Sequence, residues 1–320
     1  MLLIDRDLTV DSAGITMHKR IFKLMGCRSE ICLVGDNFHW VDECMLYIIA
    51  EMVKVERLLS TFDETSQTNR INENAGLRPV QVDKEIFDLI EYSIEISELT
   101  NGAFDITYGS LNRKFWNFDK NMTVLPNGDD YIDMPGFCNF RNIELDKHER
   151  TIFLRKKGMR LGFGGIAKGY VADLAEALLR KEGVENGMMN ASGDIKAWGT
   201  APGKDHWTIG LRDPKNAKKS ILNLKIRDKA VATSGNYEKF VIIDKKYYSH
   251  TINPGTGFPV EGLKTITVIT PTAIFADALA TAVGVLGTDS GIKLINRLKG
   301  VQCFIIDNND QFHFSNDFNN

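Results

Sequence analysis

Three glycines in four positions, Gly162, Gly164 and Gly165, are the feature that most constrains how this chain folds. Glycine tolerates sharp turns and close backbone approach, and a helical pattern begins directly after this stretch. A helix start carries unpaired N–H groups and a partial positive charge, to which Lys168 adds a full one. Residues 161–173 therefore predict either a plain turn that packs a helix on a sheet or a site for an anion such as phosphate.

The same stretch also fits the dinucleotide pattern G-x-G-x-x-[GA], with a strand before it and a helix after it. That pattern is typical of Rossmann oxidoreductases, in which parallel strands alternate with helices. No run of such units surrounds this stretch, and Lys168 would crowd a pyrophosphate site that relies on backbone alone. A Rossmann site is therefore kept as an alternative.

The composition is that of an ordinary globular chain, with 320 residues of which 43% are hydrophobic. Its 39 basic and 42 acidic residues leave a net charge of -3, so we expect no broad surface for nucleic acid. We expect neither a transmembrane segment nor a signal peptide, because no apolar run approaches about 18 residues and charge begins at Asp5. A cytoplasmic location is the resulting expectation, with an exported form open if the chain is trimmed. Five scattered cysteines without a C-x-x-C pair predict free thiols.

Hydrophobic periodicity predicts an α+β fold of mainly antiparallel sheets flanked by helices, because neighbouring strands are joined by short turns. The predicted helices are 41–59, 84–99, 168–181, 273–286 and 291–298. The predicted strands are a pair within 20–35 broken at 25–26, then 152–154, 188–198 interrupted at 192–194, 207–211, 221–226, 230–233, 240–243, 265–269, 301–306 and 311–314. We divide the chain into an N-terminal segment 1–19, one domain 20–315 with an irregular excursion at 117–142, and a polar tail 316–320.

Asp277 and Thr281 lie four residues apart on a predicted helix and so project from one face. Both offer the hard oxygen ligands that Mg²⁺ prefers, with backbone carbonyls and substrate phosphates to complete the shell. The structural alternative is an aspartate near the helix start and a threonine packed in the core.

Polar loops supply further candidates, each with a structural alternative. Asp105 follows a helix end among aromatic residues, where a ligand contact and a satisfied turn aspartate are equally reasonable. Residues 61–74 are rich in hydroxyls and amides and predict a turn that caps a short helix, or else a wall of a polar site. His250 lies where a strand enters a turn, a place suited to a proton acceptor near neutral pH.

Eight stretches stand out along the chain: Met25-Gly26, Ser66 to Asn72, Thr100-Asn-Gly-Ala-Phe-Asp-Ile-Thr, Gly164-Gly-Ile-Ala-Lys-Gly-Tyr, Ala191-Ser-Gly-Asp, Ala232-Thr-Ser-Gly-Asn-Tyr, Ser249-His-Thr-Ile-Asn-Pro-Gly-Thr-Gly and Ala276-Asp-Ala-Leu-Ala-Thr. Taken together and in this order, they resemble the ApbE family, the FAD:protein FMN transferases. The similarity covers roughly residues 20 to 315. It implies an ApbE-like, T-fold-related architecture and a Mg²⁺-dependent enzyme that moves FMN from FAD to a threonine hydroxyl of an acceptor protein, releasing AMP.

The resemblance also implies roles for particular residues. Those matching metal ligands are Gly165, through its carbonyl, Asp277 and Thr281. Those matching the FAD site are Met25, Phe62, Ala103, Phe104, Asp105, Lys168 and Ile252. Lys168 would neutralise phosphate charge, and His250 is the proposed base for the acceptor hydroxyl, which we expect in an Asp-x-x-Thr type segment.

The chain departs from the family pattern at two positions. Gly162 stands where the family usually has an aspartate that holds the cofactor, so we expect weaker FAD binding or a contact moved to another residue such as Asp194. Asn253 replaces the more frequent aspartate after the histidine. FAD pyrophosphatase activity, which yields FMN and AMP, and non-catalytic FAD binding are the alternative functions.

Overall fold

A computed structural model describes residues 3–10, 14, 16–111, 136, 138–213, 216–235, 240–243, 246–249 and 251–318. The helices are α1 Phe38–Leu59, α2 Gln67–Glu73, α3 Lys84–Leu99, α4 Ala167–Lys181 and α5 Ala273–Ile295. The strands are β1 Leu3–Val10, β2 Thr16–Leu24, β3 Cys27–Val34, β4 Val80–Gln81, β5 Ile143–Asp146, β6 Thr151–Leu154, β7 Gly187–Ala191, β8 Asp194–Trp198, β9 Trp207–Asp213, β10 Asn216–Ile226, β11 Lys229–Gly235, β12 Phe240–Ile243, β13 Lys246–Ser249, β14 Leu263–Thr270, β15 Gln302–Asp307 and β16 Phe312–Phe314. Short 3-10 helices lie at Ile106–Ser110 and Phe140–Asn142.

The main sheet joins nine of these strands in the order β1-β2-β3-β7-β8-β11-β14-β15-β16. All of its described pairings are antiparallel. Separate pairs form from β9 with β10 and from β12 with β13, and β4-β6-β5 make a small third sheet. The predicted α+β class is confirmed. The Rossmann alternative is wrong, because the strands that flank α4, β6 and β7, lie in different sheets and have only antiparallel neighbours among the described strands.

The main sheet is covered differently on its two faces. Successive strand residues point to opposite faces, so Ala230 and Ala232 join the core beneath α1, α4 and α5, whereas Val231 joins a second core. The β9–β10 hairpin builds that second core with Trp207 and Ile209. The helices therefore lie together on one face of the sheet, where α4 and α5 meet.

Local sequence signals set the helix ends. The Asn37 side chain caps α1 by accepting a hydrogen bond from the N–H of Trp40 at 3.1 Å, which explains why α1 begins before the first predicted residue. Helix α3 is followed by a left-handed cap, with φ of 50° at Asn101 and 80° at Gly102. Two predicted helices near the C-terminus form one element, α5, which is interrupted at Gly287, where φ is 76° and ψ is 179°.

Helix α5 is long and apolar enough to cross a membrane by length and composition alone, with 50% of its most apolar window buried in the fold. A core helix of a globular protein meets the same criterion, so the expectation of no transmembrane segment stays a prediction. Residues on several sides of α5 pack into the helix-covered core, among them Leu279 and Val283, which accounts for its apolar composition.

The N-terminal segment 1–19 contains a strand that the periodicity did not predict. Strand β1 pairs antiparallel with β2, which itself begins at Thr16. The predicted strand pair around residues 25–26 corresponds to β2 and β3. Most of the excursion at 117–142 lies outside the described residues, and its described end forms the 3-10 helix at Phe140–Asn142. The division into one domain and a tail stays a prediction.

Candidate active site

The start of α4 receives a carboxylate from α5. The N–H of Gly169 donates to Oδ2 of Asp277 at 3.1 Å, and the N–H of Lys168 also hydrogen-bonds this carboxylate. The preceding N–H groups of Ile166 and Ala167 both donate to the carbonyl of Phe163. The prediction of open N–H groups at this helix start was therefore wrong for these four positions. The anion that the helix start binds here belongs to the chain itself.

Two contacts fix α4 against α5. The carboxylate of Asp173 accepts hydrogen bonds from the N–H groups of Ala273 at 2.7 Å and Ile274 at 2.8 Å, which caps the start of α5. The backbones also approach closely, because a Cβ placed on Gly169 would lie 2.2 Å from the carbonyl oxygen of Ala273. Asp277 is thereby held one helical turn from a fixed helix start.

Lys168, in the first turn of α4, forms an ion pair with Asp194. Ser192 and Gly193 make the turn between β7 and β8 with φ of 56° and 102°, which places Asp194 at the start of β8. Its side chain is only 3% exposed, against 28% for Lys168. Burial opposes the charge on Lys168, but the carboxylates of Asp194 and Asp277 raise its pKa above the ordinary value. The ammonium is therefore held charged.

Gly165, Asp277 and Thr281 lie together, as the metal prediction requires. A Cβ on Gly165 would come within 2.7 Å of Oγ1 of Thr281, so only glycine lets the loop lie on this hydroxyl. Burial raises the pKa of Asp277, while Lys168 and the N–H groups of α4 oppose that rise. The described residues contain no group of three His, Cys, Asp or Glu side chains placed to hold a metal ion. One carboxylate and one hydroxyl suit Mg²⁺, which commonly takes its remaining ligands from water and substrate phosphates.

We call Gly165, Lys168, Asp194, Asp277 and Thr281 the polar centre. Each of these five was predicted from the sequence, and the fold brings them together from the loop before α4, from α4, from β8 and from α5. Gly165 and Lys168 belong to the glycine-rich stretch. The centre combines a half-buried cation with oxygen ligands, the pairing that stabilises phosphate oxygens.

The segment Ala103, Phe104 and Asp105 is buried. Oδ1 of Asp105 accepts from the N–H and the hydroxyl of Thr107 at 2.7 and 2.6 Å, and its Oδ2 accepts from the N–H of Phe140 at 2.9 Å. Burial raises the pKa of Asp105, and these bonds oppose that rise. Asp105 is thus a turn aspartate whose carboxylate is satisfied by hydrogen bonds within the chain. Its contact with a cofactor stays a prediction.

The polar stretch 61–74 does cap a short helix, since Oγ of Ser66 accepts from the N–H of Asn69 at the start of α2. It also supports the glycine-rich stretch. Oδ1 of Asn72 accepts from the N–H of Leu161 at 2.6 Å, and Oδ1 of Asn69 accepts from Arg160 at 3.0 Å. These amides anchor the irregular segment that leads into the glycines.

The structure describes three of the four remaining predicted residues. Met25 adopts φ of 50° in the turn between β2 and β3 and packs partly against the core. The Phe62 side chain is 85% exposed. Ile252 forms an isolated β-bridge with Pro259. His250 lies outside the described residues. The roles of these four residues stay predictions.

The sequence did not single out Tyr108, whose hydroxyl accepts a hydrogen bond from the N–H of Gly164 at 3.0 Å. A Cβ on Gly162 would lie 3.1 Å from the same hydroxyl. The paired glycines did signal a close approach, but nothing in their spacing identified the approaching residue. Asp173 was likewise missed, because a helical aspartate carries no signal of the helix that it caps.

The sequence profile of the ApbE family matches residues 25–305. A FAD:protein FMN transferase of Treponema pallidum is 32% identical over 266 residues, which cover 78% of this chain and 73% of that relative. One of Klebsiella pneumoniae is 30% identical over 271 residues and 84% of each chain. The crystal structure of the ApbE protein of Thermotoga maritima matches with a TM-score of 0.86 and 28% identity, covering 94% of this chain and 97% of that one.

The mixed fold and the polar centre, taken with these likenesses, define an enzyme. The chain belongs to the ApbE family, and the family predicted from its motifs is confirmed.

Proposed function

We propose that this chain is a FAD:protein FMN transferase that moves FMN from FAD to a threonine hydroxyl of an acceptor protein, in a Mg²⁺-dependent reaction that releases AMP. The observation that carries the proposal is the polar centre, in which Lys168 lies between two buried carboxylates beside the oxygen ligands of α5. The names of the relatives support the flavin substrate and the protein acceptor.

The reaction exchanges the phosphoanhydride link of FAD for a phosphoester link to the acceptor. The acceptor hydroxyl oxygen forms a bond to the phosphorus of the FMN half, the bond from that phosphorus to the bridging oxygen breaks, and AMP leaves with that oxygen. The hydroxyl proton passes to a base, which we assign to His250 from its sequence context. Because displacement at phosphorus depends on alignment and charge neutralisation, the chain needs little further covalent chemistry.

The residues of the polar centre divide this task. Lys168 offers a positive charge to the phosphates, and Asp194 keeps that ammonium charged and in place. The start of α4 holds Asp277 through two N–H groups, which orients its carboxylate beside Thr281. Gly165, Asp277 and Thr281 would hold Mg²⁺, which when bound withdraws charge from the phosphate oxygens.

The FAD contacts are proposed from the resemblance. They comprise Met25, Phe62, Ala103, Phe104, Asp105, Asp194 and Ile252 beside Lys168. We further propose an acceptor with an Asp-x-x-Thr type segment, no nucleic-acid partner, and a cytoplasmic location for the chain as given. The net charge of -3 agrees with a protein acceptor rather than a nucleic acid.

The test combines the purified chain with FAD, Mg²⁺ and either of two acceptors, one with an Asp-x-x-Thr segment and one with alanine in place of that threonine. We expect fluorescent flavin on the threonine acceptor alone after a denaturing gel, together with stoichiometric AMP by chromatography. FMN and AMP without labelled acceptor would instead assign FAD pyrophosphatase activity. Tight FAD retention without either product would assign a flavin carrier.

Variants test the residues. Lys168→Met and Asp277→Asn should each lower turnover by about a hundredfold or more, the scale set by loss of one preorganised charge at a reacting phosphate. Lys181→Met at the exposed end of α4 and Asp289→Asn at an exposed position of α5 are matched controls that should retain wild-type turnover. Full activity of Asp277→Asn would overturn the metal assignment.

A further inference from the structure

Tyr108 links the buried Asp105 segment to the glycine-rich stretch. It lies in the 3-10 helix Ile106–Ser110, whose start is capped by the Asp105 carboxylate. The carbonyl of Ile106 accepts from the N–H of Gly162 at 2.8 Å, and the Tyr108 hydroxyl accepts from the N–H of Gly164 at 3.0 Å. Two hydrogen bonds therefore join the 3-10 helix to the start of the glycine-rich stretch.

The phenol also fills the space above these glycines. A Cβ on Gly164 would lie 2.6 Å from the Tyr108 hydroxyl oxygen but 3.8 Å from the ring carbon that bears it. Gly164 has no left-handed φ, so alanine would fit its backbone once that one oxygen were gone. The hydroxyl is therefore the atom that requires glycine at position 164.

The residue that follows is the one that contacts the metal ligands of α5. Gly165 packs on Oγ1 of Thr281 so closely that its own Cβ would be 2.7 Å away. Its position depends on Gly164, whose N–H has the Tyr108 oxygen as its partner. A loop of consecutive glycines is otherwise conformationally permissive, so this bond is a restraint directly beside the polar centre.

We propose that Tyr108 is a positioning residue that presets the glycine-rich stretch for metal binding, an inference that rests on the proposed function for its effect on activity. Its hydroxyl holds Gly164, and Gly164 holds Gly165 against Thr281. A preset oxygen ligand lowers the ordering cost of binding a cation.

The first experiment needs no FAD. Tyr108→Phe removes one oxygen, and Ser110→Ala is the matched control, since Ser110 bonds the same neighbouring segment through the N–H of Arg160 at 2.8 Å. In backbone amide exchange on the ligand-free chain, Tyr108→Phe should speed exchange at Gly164 and Gly165, whereas Ser110→Ala should affect Arg160. Unchanged exchange at Gly164 in Tyr108→Phe would overturn the inference.

A double-mutant cycle tests the steric part. Gly164→Ala should lower the unfolding midpoint by about 2–4 °C when Tyr108 is present, because it overpacks the site. In the Tyr108→Phe background the same change should have little effect, since the opposing oxygen is absent. Equal shifts in both backgrounds would contradict the proposed contact.

The functional arm measures transfer against Mg²⁺ concentration. Tyr108→Phe should raise the Mg²⁺ concentration for half-maximal activity about tenfold, while FAD affinity measured in EDTA stays at the wild-type value. Ser110→Ala should match wild type in both. A wild-type chain that does not bind FAD would refute the proposed function, and the exchange result then decides the inference alone. If the wild type is active and Tyr108→Phe leaves the Mg²⁺ concentration for half-maximal activity unchanged, the inference alone is refuted.

Discussion

Replacing Asp173 by alanine should destabilise the fold through the start of α5. Its carboxylate accepts two backbone hydrogen bonds at 2.7 and 2.8 Å, from Ala273 and Ile274. Hydrogen bonds to a charged group contribute about 1.5–3 kcal/mol each. Burial raises the pKa of Asp173, which shows that the ionised form has an opposing desolvation cost. The net loss expected for Asp173→Ala is therefore about 3 kcal/mol, the lower end of the sum of two such bonds.

That loss converts into a measurable shift. Unfolding entropy of about 2.1 cal/mol/K per residue gives about 0.7 kcal/mol/K for a chain of 320 residues, so the midpoint should fall by about 4 °C. Asp173→Asn keeps one acceptor and should lie between alanine and wild type. The assay is thermal unfolding followed by circular dichroism, at equal protein concentration and without flavin.

Asp83 provides the matched control, because it stands at the start of α3 but makes no side-chain hydrogen bond to that helix. Asp83→Ala should shift the midpoint by about 1 °C or less. The reasoning is refuted if Asp173→Ala and Asp83→Ala shift the midpoint equally. Because α5 carries Asp277, Asp173→Ala should also lower turnover at temperatures where the chain is still folded.

Three further predictions concern the helix contact, the metal and the thiols. Gly169→Ala should abolish soluble folded protein or lower the midpoint strongly, since its Cβ would lie 2.2 Å from the backbone oxygen of Ala273, as a thermal-shift assay would reveal. FAD should raise the midpoint more with Mg²⁺ than with EDTA, and Asp277→Asn should remove that difference. Iodoacetamide at about pH 8 should label Cys27 in the folded chain, as mass spectrometry would show. Three other thiols should be protected, because burial raises their pKa to about 12. Those protected thiols are Cys32, Cys138 and Cys303.

The sequence predicted those elements whose pattern is local. Helix α1 was predicted over 41–59 and α3 over 84–99, and the structure agrees except for the first turn of α1. Strand β1 was missed for a physical reason. It is an edge strand with charges at Asp5, Arg6 and Asp7, and such a strand has no apolar alternation because its stability comes from pairing with β2.

The candidate site was predictable residue by residue but not as a set of contacts. Residue type and spacing singled out Asp277 and Thr281, because they share one helical face. Spacing could not show that Lys168 pairs with Asp194, or that the carboxylate of Asp277 meets a helix start more than 100 residues earlier in the chain. Those partners are chosen by tertiary packing, which no local pattern records.

The glycines of the glycine-rich stretch show that a sequence motif can occur without the ligand site that it usually marks. Gly162 and Gly164 make room for Tyr108, and Gly165 makes room for Thr281. Each glycine is therefore accounted for by a close approach within the protein. Their pattern matches a dinucleotide motif because both situations demand a missing side chain beside a helix start.

The hydrogen bonds between Asp277 and the start of α4 restrict how a phosphate could bind at this site. A phosphate at the start of α4 would compete with Asp277 for the same N–H groups and would meet its negative charge. In the proposed reaction, the charge that binds a pyrophosphate would come from Lys168 and from a cation held by Asp277. The helix start supports the proposed metal requirement, because the carboxylate bound there occupies N–H groups that could otherwise bind an anion.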